Sequence, residues 1–420
     1  MATKRMNPSQ SRAKQQPRPQ TRKQQRKPAK AKSWNVVRFV QENFHEPPIM
    51  LGHFDTPFLL LVLMLLGVGL ITLFSSSYAS SLYYMGNSYY YILRQLFFAV
   101  AGVAAMLGVS LVNYRMLKLF CWLAYFGSIG LMAACYLFPA QNGAQRWISL
   151  GFLSFQPSEI AKFAVILLFA YLMERDRHLM GNMKEGTWRY IILYGMVAAV
   201  LLPQPHLSAT LLIGFIALTL MLLGGTKFSN LVKIGVPVLL IALLLAFLLQ
   251  NVILERFAHV VTRLTYWLDP FSSTDSGSYQ TRQSLLAIGS GGLWGVGFGE
   301  SRQKHMYLPE VRNDFVFAIV CEELGFIGAC IVILLFAALV WRGYHIAMHA
   351  RDRFGSLLVA GITTQIGLQA FLNIAVVTNL IPNTGISLPF FSYGGTALLI
   401  LLGEIGVILS VSRQARHTKE

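Results

Sequence analysis

The chain has 420 residues and a mass of 46.9 kDa, with 55% hydrophobic residues, 13% charged residues and a mean hydropathy of +0.52. No water-facing surface of ordinary charge density can be assembled from that composition, which excludes a set of soluble domains and marks an integral membrane protein. The formal charge of +17 is concentrated in a tail, because residues 1–40 hold 12 of the 35 Lys and Arg and no acid, leaving 23 cations against 18 acids elsewhere. No nucleic-acid partner is expected from such a distribution.

Residues 1–45 read as a basic, disordered cytosolic tail of Lys, Arg, Gln, Pro and Ser. Its first 32 residues contain no apolar run of the kind a secretory signal needs. Apolar runs follow near 57–79, 92–112, 116–138, 157–173, 189–203, 207–224, 229–250, 314–341, 355–379 and 393–412. A helix needs roughly 20 residues to cross a bilayer, so ten transmembrane helices are predicted over a membrane domain at 46–412. Residues 413–420 are left as a short cytosolic tail. The connections at 113–118, 174–189, 225–233 and 342–353 carry Arg115, Lys118, Arg175, Arg189 and Arg353 among other cations, whereas those at 80–91, 203–206 and 380–392 carry no Lys or Arg. By the positive-inside rule both termini are cytosolic and the charge-poor connections face outward. Cys121, Cys135, Cys321 and Cys330 sit in apolar stretches without metal-ligand spacing and read as small hydrophobes.

Two outward connections keep cations, which invites an anionic ligand: residues 139–156 with Arg146, and the one long loop at 251–313, between helices seven and eight. Within the first, Pro157 suits a first helical turn, and Glu159 and Lys162 at i and i+3 share a face, with Lys162 about 7.5 Å below Pro157. Charges at that depth must face a bundle interior or a wet cavity, so either a self-neutralising pair or a cation awaiting an anion is expected. The long loop carries Asp269, Asp275, Gln283, Ser284 and Glu310, with Asp314 at its end, and a glycine run at 289–299 lacking the GKS/T of a phosphate loop. That run is expected to pack tightly or re-enter the membrane against protein. A third cluster pairs Gln369 and Asn373 near an outer helix end with a Pro- and Gly-broken turn carrying Ser392. Glu322, Glu323 and Glu404 lie deeper, as buried hydrogen-bond partners or a proton path.

The stretches NGAQRWI, FQPSEIAK, YQTRQSLLAIGSGGLWGVGFGESRQKHMYLPE, NDFVFAIVCEELGFIG and LIPNTGISLPFFSYGG together resemble the SEDS family of peptidoglycan polymerases, which includes FtsW, RodA and SpoVE. Ser75–Ser81 and the segment from Gly86 to Gln95 look more like FtsW or SpoVE than RodA. The resemblance implies an all-α polytopic SEDS fold of ten transmembrane helices in the bacterial cell membrane. It also implies glycosyl transfer at the outer leaflet on lipid II, a disaccharide-pentapeptide carried by undecaprenyl pyrophosphate, in septal synthesis during division. A class B penicillin-binding protein and other divisome membrane proteins would be its partners. A lipid II flippase and a non-enzymatic divisome scaffold are the competing readings. The family pattern places a loop Asp six residues before Tyr279, where this chain has Ser273. Asp275, two residues on, and Asp269, four residues before, are the candidates for the base. Arg146, Lys162, Arg302 and Lys304 suit a departing pyrophosphate, with Glu159, Gln283, Ser284, Glu310, Asp314, Gln369, Asn373 and Ser392 around the substrate. No metal-ligand cage is visible, though a divalent cation, Mg or Mn, could bridge pyrophosphate and carboxylate.

Overall fold

The computed structural model describes residues 52–139, 145–151, 153–204, 206–248, 267–271 and 276–415. The predicted basic tail at 1–45, the tail from 416 and Asp275 lie outside the described residues. Eleven α-helices are present among those described: α1 Thr56–Met85, α2 Tyr90–Leu111, α3 Leu117–Ala134, α4 Pro157–Arg175, α5 Arg189–Leu201, α6 Leu207–Leu223, α7 Phe228–Leu248, α8 Ser276–Gly291, α9 Val316–Met348, α10 Arg353–Val377 and α11 Gly395–Arg413. Every predicted apolar run corresponds to one of them. Among the described residues six elements are long and apolar enough to cross a membrane: α1, α2, the segment 114–137 built on α3, α9, α10 and α11. An antiparallel hairpin, β1 Ile148–Leu150 and β2 Leu153–Phe155, turns at Gly151 and leads into α4.

The long connection holds more structure than expected. Its residues 276–291 form α8, because Ser278, Thr281, Ser284 and Ala287 recur every third position and are all buried, a narrow small-residue stripe that sits close against neighbours. The glycine run that follows pairs backbone to backbone with α9. Val296 N and Gly297 N donate to the carbonyls of Glu322 and Glu323, and Phe326 N and Ile327 N donate to those of Gly292 and Leu293. α9 is interrupted there, Gly325 adopting φ 66° and ψ −168°. A Cβ on Gly291 would collide with the carbonyl of Cys321, so the two backbones touch as the glycine run led one to expect.

The ends of the bundle differ in chemistry. At one end Arg115 pairs with Asp352 at 2.8 Å, Lys118 with Glu174, Arg189 with Asp176 at 2.6 Å and Arg342 with Asp55 at 2.9 Å. At the other end gather the hairpin, the 203–206 connection, residues 299–315 and the turn 378–394. Thr396 Oγ1 donates to Ser154 O at 2.9 Å, Ser208 Oγ to Thr384 O, and Tyr393 N to Arg312 O at 2.8 Å. Between them α4 is almost wholly buried from Ala161 to Met173, which makes it the central helix and sets where its two charges must go.

Candidate active site

Pro157 and Gln156 start α4 just beyond the hairpin, so Glu159 and Lys162 fall in its first two turns. Lys162 is 2% exposed, and its Nζ donates to Glu159 Oε2 at 2.7 Å and to Gln369 Oε1 at 3.2 Å. Lys162 and Glu159 form an ion pair, and it lines a cavity of about 570 Å³ at the end opposite the clustered ion pairs.

That cavity gathers residues from distant segments: Arg146 before the hairpin, Glu159 and Lys162 on α4, Glu310 and Asp314 before α9, Gln369 on α10 and Ser392 before α11. Arg146 Nε donates to Gln204 O at 3.2 Å, fixing the guanidinium over the 203–206 connection. Gln369 Nε2 donates to Ser387 Oγ at 3.3 Å. Ser392 Oγ donates to Asn313 O at 2.5 Å and accepts from Leu388 N at 2.7 Å, holding the turn closed. Asp314 has its carboxyl pushed up to about 6 by burial first, then by the Glu310 carboxylate, with Arg146 opposing. Asn313 Nδ2 donates to Glu310 Oε2 at 2.5 Å, and Glu310 holds a left-handed φ of 52°.

Other expected residues are placed elsewhere. Ser284 is fully buried and donates to Val377 O at 2.8 Å, locking α8 onto α10. Asn373, also fully buried, donates from Nδ2 to Asp314 O and Ile386 O, both at 2.7 Å, and so positions Asp314 from behind. Gln283 does not line the cavity. Asp269 accepts from Phe271 N at 3.3 Å on a segment tied to the turn after α10 by reciprocal bonds between Trp267 and Asn379, away from the cavity lining. Lys304 is 5% exposed and bonds Glu323 Oε1 and Ser75 Oγ, while Ser301 Oγ and Arg302 N bond Glu322. Glu322 and Glu323 thus hold the segment after the glycine run in place through buried hydrogen bonds.

The structure adds residues that spacing alone did not single out. Arg94 and Arg312 line the cavity beside Arg146, and Arg312 stacks 4.2 Å above the ring of Tyr91. His206 lines it too; burial first, then Arg146 and Lys162, lower its imidazole to about 3, so it is neutral and accepts at Nε2 from the Gln156 amide at 3.2 Å. Arg94 at the start of an apolar run and His206 in a short connection gave no sequence signal of their own, whereas Arg312 is one of the cations kept by the long loop. Four cations and several acceptors around one opening suit a diphosphate next to hydroxylated groups. Among the described residues no three His, Cys, Asp or Glu converge as a metal cage. The cavity carboxylates would meet a divalent cation only together with ligands brought by the substrate.

The sequence profile of the cell cycle protein family FtsW/RodA/SpoVE matches residues 56–417. Stage V sporulation protein E of Bacillus subtilis (strain 168) is 36% identical over 376 residues, covering 86% of this chain and 98% of the relative. The probable peptidoglycan glycosyltransferase FtsW of Geobacter sp. (strain M18) is 35% identical over 367 residues, covering 86% and 98% respectively. Among solved structures, a chain from a peptidoglycan synthase complex matches with a TM-score of 0.71 at 26% identity, over 87% of this chain and 99% of that one. The rod shape determining protein RodA of Thermus thermophilus matches with a TM-score of 0.62 at 25% identity, over 87% and 98%.

Proposed function

The chain belongs to the FtsW/RodA/SpoVE family, and from that premise we propose how it works as a peptidoglycan glycosyltransferase. It is a multi-pass membrane protein whose relatives carry the names FtsW and SpoVE, and a role in septal cell-wall synthesis fits them. The observation that carries the reading is the meeting of Arg94, Arg146, Lys162 and Arg312 with Glu310 and Asp314 around one cavity, opposite the end where arginines are consumed in ion pairs.

In this reading the ion-paired end is cytosolic, both termini lie on that side and the cavity opens at the outer leaflet. Ten helices cross the bilayer and α8 re-enters beside α9, its backbone satisfied by protein. The substrate is lipid II. The GlcNAc 4-hydroxyl of one molecule attacks C1 of the other chain's MurNAc, forming the C1–O4 bond. The bond from C1 to the lipid pyrophosphate breaks, and the hydroxyl proton passes to a carboxylate. A hydroxyl is too weak a nucleophile to act without such a base. Asp275 is assigned that part over Asp269. It directly precedes Ser276, where α8 begins, and the second turn of α8 is tied to segments that border the cavity: Gln280 Nε2 donates to Pro309 O at 3.3 Å, and Gln280 Oε1 accepts from Asn383 Nδ2 at 3.0 Å. The cations at the rim neutralise the departing pyrophosphate. A class B penicillin-binding protein is the proposed partner, by analogy with the synthase complex that this chain resembles.

The test is purified protein with its cognate transpeptidase, given lipid II in detergent. Glycan strands that disappear in Asp275→Ala and persist in Asp269→Ala support the assignment. The reverse pattern moves the base to Asp269, and lipid translocation without strands supports a flippase.

A further inference from the structure

The cavity has a floor that glycosyl transfer at the rim does not use. Gln365 on α10 and Glu404 on α11 line it, each 3% exposed, and Gln365 Nε2 donates to Glu404 Oε2 at 2.7 Å. Their other oxygens, Gln365 Oε1 and Glu404 Oε1, are buried and receive no donor from the protein. Folded proteins seldom leave two adjacent acceptors unmatched, and both belong to side chains facing a cavity of about 570 Å³, within the size range of small-molecule sites. Glu404 lies nine residues into α11, about 13.5 Å below its outer end at 1.5 Å per residue.

The chemistry of the occupant follows from charge. A phosphate is repelled by the carboxylate of Glu159 and is better held at the rim by Arg94, Arg146 and Arg312. A second cation is disfavoured by Lys162, whose partner Gln369 stands one helical turn from Gln365 on the same face. An uncharged group rich in O–H and N–H donors suits the floor. We propose that the Gln365–Glu404 pair is a saccharide subsite, its two open acceptors taking hydroxyl and acetamido N–H donors of the lipid-linked sugar. It deepens the glycosyltransferase reading and rests on it for the identity of the sugar.

Two probes separate the parts: the soluble disaccharide without lipid or pyrophosphate, and inorganic pyrophosphate, each bound to the full-length protein in nanodiscs. Glu404→Gln and Gln365→Leu are expected to weaken the disaccharide at least tenfold and leave pyrophosphate within twofold. Their KM for lipid II rises while kcat holds, the signature of lost uniform binding. Glu404→Asp, which keeps the carboxyl group and nearly all the packing while withdrawing the oxygens, is expected to fall between wild type and Gln, so the test survives a variant that fails to fold. Disaccharide affinity indifferent to all three substitutions, or both probes lost together, overturns the subsite. A wild type that makes no strands while its disaccharide affinity still follows the variants overturns the glycosyltransferase reading alone.

Discussion

Replacing Lys162 by Met removes one charge from the centre of the site while keeping most of the stem volume. Nζ sits 2.7 Å from Glu159 Oε2 and 3.2 Å from Gln369 Oε1, and Glu159 is 18% exposed where Lys162 is 2%. Breaking a fully buried pair costs about 3–5 kcal/mol, and the partial exposure of Glu159 to the cavity reduces that to about 1–3 kcal/mol of stability. If the ammonium also stabilises pyrophosphate as it departs, its loss removes a further 3 kcal/mol or so from the transition state alone, about 10²-fold in kcat. The companion Glu159→Gln tells the two roles apart. Should Lys162 serve only to neutralise Glu159, the double variant Lys162→Met/Glu159→Gln regains both stability and strand synthesis. Should it bind the anion, the double variant regains its thermal midpoint and stays about a hundredfold slow. Strand length and rate from labelled lipid II, beside thermal unfolding in the same detergent, provide the readout. A double variant restored to wild-type rate refutes the anion role.

The buried carboxyl of Asp314, raised to about 6, gives a pH signature. The folded state holds this proton more tightly than the unfolded chain, so its contribution to stability is full below about pH 4 and is lost as pH rises through 6. With screening by solvent in the cavity, Asp314→Asn should be about 1–2 kcal/mol more stable than wild type at pH 8 and equal to it near pH 4 in thermal melts; no difference at pH 8 contradicts the burial argument. Gly325→Ala forces a side chain into a left-handed φ of 66° and against the backbone of Gly295, so a loss of at least about 2 kcal/mol is expected, seen as poor accumulation and a lowered melting point. Glu323→Gln leaves Lys304 buried without its counter-charge and should cost about 3–5 kcal/mol, whereas Lys304→Met/Glu323→Gln should recover most of it; an equally unstable double variant would show that Ser75 and Gly299 suffice to hold the lysine. Ser284→Ala, which removes a bond to Val377 O, should lower stability by about 1 kcal/mol with strand synthesis unchanged.

The helices were legible because apolar runs mark them: each of the ten runs in the sequence corresponds to a helix among the described residues, six of them long and apolar enough to cross a bilayer. α8 escaped notice because its buried face is Ser278, Thr281, Ser284 and Ala287, small residues that no hydrophobic count rewards. Much of the cavity could be named in advance from charge: Glu159 and Lys162 sit at membrane depth, where a wet or buried polar neighbour is required, and Arg146, Glu310 and Asp314 lie in or at the end of outward connections that keep cations. Polar uncharged residues were harder. Asn373, Ser284 and Gln369 carry the same hydrogen-bonding groups whether they meet a ligand or a backbone carbonyl, and only their neighbours decide it. The pairing of Lys304 with Glu323 was equally hidden, because it depends on a break in α9 that brings two chain segments together backbone to backbone.

The most direct test is a structure of the full-length protein with lipid II whose anomeric linkage cannot be cleaved. Its pyrophosphate is expected among Arg94, Arg146, Lys162 and Arg312, with the saccharide reaching toward Gln365 and Glu404. A pyrophosphate held on another face of the bundle, with that cavity vacant, would contradict it.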